Sequence, residues 1–152
     1  MRYQAWHDSI WALNVVETLK EAQRFFGFKI DTVQTDNGIE FTFDYTAQLT
    51  ARHKEPKQHP LDVYCEAEKI RHKLIPPGEK ELQGKVERSH RTDDEEFYRT
   101  IKGRLNLIEL RKKGKRWLMF YNFKRRHSSI GKKTPGQFAI DRLKLYPERL
   151  AA

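Results

Sequence analysis

Phe28-Lys29-Ile30-Asp31-Thr32-Val33-Gln34-Thr35-Asp36-Asn37-Gly38 reads as a strand running into a turn. Isoleucine, threonine and valine favour extended backbone, and Asp-Asn-Gly supplies turn chemistry. The stretch predicts a core strand ending near Asp36. Just before it, Trp11, Ala12, Val15, Val16, Leu19, Ala22, Phe25 and Phe26 recur at helical spacing. That periodicity predicts an amphipathic helix from Ser9 to Phe26, with Asp8 or Ser9 as cap and Gly27 as terminator.

Working outward, residues 2–7 alternate loosely and are expected to form the last strand of a hairpin. A helix is expected from about Phe43 to His53, followed by the proline-rich stretch Lys54-Glu55-Pro56-Lys57-Gln58-His59-Pro60, read as a loop or insertion. Residues 61–70 suit a helix, and His72-Lys73-Leu74-Ile75 a short strand. Pro76-Pro77-Gly78-Glu79 then breaks the chain before a helix from about Gln83 to Arg99. Two further helices are expected around Leu105 to Arg111 and Lys115 to Arg126. Thr134-Pro135 reads as a cap followed by proline at the first helical position, opening a helix through Phe138 to Leu143.

A chain of 152 residues has room for one real core, and 38% apolar against 34% charged residues gives it a highly charged surface. No apolar run approaches a spanning helix, so no membrane partner is expected, and cytoplasmic residence is the default. The lone Cys65 has no intrachain disulfide partner. A net charge of +9 favours polyanions, nucleic acid first among them. The charge is polarised along the chain. Arg111-Lys112-Lys113-Gly114-Lys115-Arg116, Lys124-Arg125-Arg126 and Lys132-Lys133 lie late, while Asp93-Asp94-Glu95-Glu96 comes before them.

The Gln83 to Arg99 helix carries the most chemistry. Val86 and Phe97 are nearly its only strong apolar residues, and Glu87, Arg91, Asp94 and Tyr98 share one face. A solvated helix with a Glu87 to Arg91 pair accounts for that pattern if it is taken alone. Asp36, likewise, is ordinarily just a good turn residue. In open α/β sheets, however, ligands gather outside the carboxyl ends of strands, where an aspartate and a helical carboxylate can share a metal. Mg²⁺ binds through one or two carboxylates and keeps positions for phosphate oxygens. His53, His59, Cys65 and His72 fit no familiar zinc spacing, and Ser128 and Ser129 read as turn residues. Trp117, Phe120, Tyr121 and Phe123 interleave with cations, with the aromatics expected to pack inward.

Val33-Gln34-Thr35-Asp36-Asn37-Gly38-Ile39-Glu40-Phe41 and Gly84-Lys85-Val86-Glu87-Arg88-Ser89-His90-Arg91-Thr92 resemble the second and third acidic motifs of DDE-type transposases, the integrase-core enzymes of bacterial insertion sequences. Trp117, Tyr121-Asn122, Arg125-Arg126-His127-Ser128-Ser129 and Thr134-Pro135 resemble the end of that core in the same order. The resemblance implies a ribonuclease-H-like mixed sheet flanked by helices, and cutting and joining of DNA with two Mg²⁺ or Mn²⁺ ions. Asp36 and Glu87 would be catalytic acids and metal ligands. Arg91 lies where such enzymes often place a DNA-contacting cation, and the concentrated charge of Arg111, Lys112, Lys113, Lys115, Arg116, Lys124, Arg125, Arg126, Lys132 and Lys133 is expected to contact DNA. The family would use transposon ends and target as substrates, in a homo-multimer.

The family's first aspartate sits on the opening strand, and Asp8, read as a cap, does not replace it. The expectation is therefore an N-terminally truncated core that is inactive alone, with residues 1–100 forming the partial core and 101–152 its helical basic end. The Asp36 to Glu87 spacing exceeds the family's, which places an insertion between about Thr50 and Glu68. The alternatives are a non-catalytic DNA-binding remnant or a ribonuclease-H-like nuclease.

Overall fold

A computed structural model describes residues 1–9, 11–43, 58–76, 78 and 84–143. In chain order these form α1 (Ala12–Phe26), β1 (Thr32–Thr35), α2 (Pro60–Ala67), β2 (Arg71–Leu74), α3 (Gly84–Glu96), α4 (Leu107–Phe123) and α5 (Pro135–Leu143), with short 3-10 turns at Tyr98–Thr100 and Ser128–Ile130. The fold is mixed α/β. Among the described residues the sheet is the pair β1 and β2, parallel, with Val33 opposite His72 and Thr35 opposite Leu74. The expected helix over 43–53 lies almost wholly outside the described residues.

The chain divides into two compact units interleaved along the sequence. One contains Ser9–Lys20 and Lys29–Arg91. Its core is Val16, Leu19, Leu61, Cys65 and Ile70, with Val15, Ile30, Val33, Phe41 and Tyr64 packed against them. Val15, Val16 and Leu19 recur on one stripe of α1, and Leu61 and Cys65 lie one turn apart on α2, so each helix turns a single apolar stripe inward. Complete burial of Leu61 contributes about 1.5–3 kcal/mol. Parallel strands need a crossover, and α2 leads directly into β2 through Lys69 in the left-handed region, where the Ile70 amide returns to the Cys65 carbonyl at 2.7 Å.

The other unit contains Met1–Asp8, Glu21–Phe28 and the chain from Thr92. The helices expected at 105–111 and 115–126 are one, α4. Asn106 opens it with a capping box, its side chain accepting the Glu109 amide at 2.9 Å while Glu109 accepts the Asn106 amide at 3.1 Å. Gly114 lies on the buried face of this helix, and the Trp6 indole occupies the space a β-carbon would need. On α5 the Gln137 amide donates to Thr134 Oγ1 at 3.2 Å, as the Thr-Pro signal predicts. Gly136 lets α5 approach Phe123 and the Asn122 carbonyl closely.

Two local expectations are corrected. Residues 1–7 form no strand. Arg2 instead donates its amide to the Asn122 side chain at 2.8 Å and accepts from it at 2.7 Å, so a side-chain amide replaces a strand partner. Asp8 does not cap α1, which starts only at Ala12. The nearby Ser9 carbonyl accepts the Asn14 side chain at 2.8 Å.

Candidate metal and DNA-contact site

Asp36 follows the last residue of β1 and is exposed. One of its carboxylate oxygens, Oδ1, accepts the Gly38 amide at 3.1 Å, the self-bonded turn that Asp-x-Gly favours. Its neighbours are tied down on both sides. The Thr35 carbonyl accepts the Ile75 amide at 2.9 Å, and the Asn37 side chain donates to the Ile75 carbonyl at 2.9 Å. These bonds continue the β1–β2 pairing past the strand end.

Beneath that end lies a polar chain that composition and spacing did not reveal. The His72 ring pairs through Nδ1 with Asp62 Oδ1 at 2.6 Å and through Nε2 with Thr35 Oγ1 at 2.9 Å. Buried His59 caps α2, its Nδ1 accepting the Leu61 amide at 3.2 Å, while Nε2 faces the Ile39 carbonyl at 3.2 Å. Burial pushes its pKa below 6.5, and the Ile39 carbonyl opposes that only in part.

Glu87 stands in the first turn of α3, exposed, and Arg91 is exposed one turn later. A solvent-facing first half is what the sparse apolar content of this helix predicts. The second half differs. Asp93 is 1% exposed and accepts Trp117 Nε1–H at 2.8 Å, while its other oxygen is ion-paired with Arg2. Phe97, also buried, stacks on Trp117 with ring centroids 5.9 Å apart. The sequence showed Asp93 only as the first member of an acidic run. The signal missed there is that Asp93 precedes the inward-facing Phe97 by one helical turn.

The candidate DNA contacts fall into two sets. Arg111 donates through Nε to the Trp6 carbonyl at 2.9 Å, and Lys133 pairs with Asp141 at 2.7 Å. Arg125 forms a two-pronged pair with Glu96 at 2.5 and 2.7 Å and lies over the Tyr121 ring. The Arg125 hydrogen bond holds the Glu96 carboxyl below its usual range. Burial, then the Arg125 charge, push His127 down. Lys112, Lys113, Lys115, Arg116, Lys124, Arg126 and Lys132 are exposed. Trp117 packs inward as expected, whereas Phe120 is 48% exposed and stacks against Trp117 with centroids 5.8 Å apart. Asn106 caps α4 from one end, and Gly114, Trp117, Leu118 and Asn122 define its buried face, which sets the cations outward.

Among the described residues no three His, Cys, Asp or Glu side chains gather into a metal-binding cluster. None of the helices among them is long and apolar enough to cross a membrane.

Residues 68–135, which include Glu87 and most of the cationic segment, match the family model of the integrase core domain. Over that segment the chain is similar to integrase core domains. It is also 29% identical over 136 residues to a protein of Spiroplasma virus SpV1-C74 named "Putative integrase ORF3". That match covers 87% of this chain and 36% of the relative, so the chain spans about a third of the relative's length.

Proposed function

We propose that this chain takes part in metal-dependent cleavage and joining of DNA strands, with Asp36 and Glu87 as ligands for Mg²⁺ or Mn²⁺. The observation that carries this reading is an exposed aspartate at the carboxyl end of a parallel strand together with an exposed glutamate on α3, in the same compact unit. Two solvent-facing hard oxygen donors, one oriented by the Gly38 amide, fit a hard divalent cation that keeps water and phosphate oxygens as further ligands. When bound, the metal supplies charge stabilisation to the reacting phosphate.

The chain's own part is to orient the carboxylates and to hold the polyanion. Arg91 adds positive charge one turn from Glu87. The exposed set from Lys112 to Lys132 supplies counter-charge to the DNA backbone, with Arg125 and Lys133 held in structural pairs. A ribonuclease-H-like frame, transposon ends and target as substrates, and a homo-multimer on DNA complete the proposal. Asp36 and Glu87 would supply two of the three acids that such chemistry uses.

Thermal unfolding in a Mn²⁺ titration tests the site, because a ligand bound only by the folded state raises Tm. The expected result is a rise that is lost in both Asp36→Asn and Glu87→Gln. No rise, or one that survives both substitutions, would leave the chain as a DNA-binding module without a metal centre.

A further inference from the structure

The Asp62–His72–Thr35 chain ends next to Asp36, and its geometry is more than packing requires. Val33, opposite His72 in the parallel register, belongs to the apolar core, so an aliphatic residue at position 72 would suit the strand. Buried polar chains are rarely more stabilising than apolar residues of similar volume, and their best-attested use is to specify one arrangement. Here the ring side chain is 7% exposed and bonded at both nitrogens. With Nδ1–H donating to the Asp62 carboxylate, Nε2 is placed to accept the Thr35 hydroxyl proton. The hydroxyl is thereby oriented, and the residue that bears it directly precedes Asp36.

Strand alternation turns Asp36 to the face opposite the one that buries Thr35. Thr35 thus holds the strand end from below, while the Gly38 amide fixes the carboxylate from above.

We infer that His72, gripped between Asp62 and Thr35, is a positioning residue that holds the end of β1 so that Asp36 is presented to a divalent cation. The inference rests on the reading of Asp36 as a metal ligand. Outer partners of this kind typically change metal affinity by about 10–100-fold when removed, because the ligand must then be ordered as the metal binds.

The test is Mn²⁺ affinity, read from the electron paramagnetic resonance signal of free Mn²⁺, on the full chain and on Asp36→Asn, Thr35→Val, Thr35→Ser and Asp62→Asn. Urea unfolding without metal reports the structural cost of each change separately. Thr35→Val keeps the shape and removes the hydroxyl, and Asp62→Asn removes the carboxylate from a half-exposed position. Both are expected to weaken Mn²⁺ binding by about tenfold or more, and Thr35→Ser to restore it.

A purely structural role would lower the urea midpoint and leave the affinity of the folded protein unchanged. Affinities of both variants within about twofold of wild type, with Asp36-dependent binding intact, would overturn this inference alone. Absence of Asp36-dependent binding in the wild type would overturn it together with the metal-site reading. A far-downfield proton resonance from His72 Nδ1–H, lost in Asp62→Asn, is the expected spectroscopic signature, and its absence from the wild type would overturn the grip itself.

Discussion

Glu87 and Asp93 stand within two turns of each other on α3, yet one faces solvent and the other is buried against Trp117 and Arg2. The first is a carboxylate available to a ligand. The second is fully occupied in holding its unit together. Identical charge on one helix therefore carries no functional meaning until burial is known. An exposed acid costs little to remove and leaves its chemistry to whatever it binds. A buried acid leaves a cation and an indole N–H without a partner when it is removed.

The comparison breaks most visibly in urea. Asp93→Ala is expected to destabilise the protein by about 3–5 kcal/mol, because Arg2 is left as an uncompensated, mostly buried charge. Glu87→Ala should stay within about 0.5 kcal/mol. Equal midpoints for the two variants would remove the distinction between them.

Next in size is Gly114→Ala. On an exposed helix this change is worth about 1 kcal/mol of added stability. Here the new methyl meets the Trp6 indole, so a loss of about 1–3 kcal/mol is expected, measured by the same unfolding.

A smaller effect comes from pH in the other unit. His59 is held below its ordinary pKa of 6.5 by burial, so below that pH the unfolded chain takes up a proton that the folded one resists. Its contribution is complete above about pH 6.5 and falls as pH drops toward the depressed value. His59→Asn keeps a capping side chain and removes the titration, so the slope of stability against pH should flatten between pH 5 and 6.5. An unchanged slope would show that His59 is not the responsible group.

The least expected change in stability is for Lys112→Ala and Lys115→Ala, within about 0.5 kcal/mol each. Their effect should appear in DNA binding instead, with each lowering the slope of log affinity against log salt by about one. Arg125→Ala should do the reverse, costing stability through Glu96 while leaving the salt slope nearly unchanged. If Arg125→Ala lowered the slope as much as Lys112→Ala, the division between paired and exposed cations would fail.

The sequence by itself determined the elements whose signals are local. The strand leading to Asp36 and the stripe of α1 are of this kind, because propensity, periodicity and turn chemistry act within a few residues. So is the Thr134-Pro135 opening of α5. The exposure of Glu87 was legible for the same reason, since the first half of its helix has too few apolar residues to form a buried stripe.

Tertiary structure alone decided the rest. Position 114 has no room for a β-carbon because Trp6 fills it, and Arg2 pairs with the Asn122 side chain rather than with a strand. Asp93 goes inward because Trp117 and Arg2 meet it there, and His72 becomes a polar link because Asp62 and Thr35 stand on either side. Each depends on a partner distant in sequence, and such a contact leaves no periodic trace in the chain because only folding brings its two halves together.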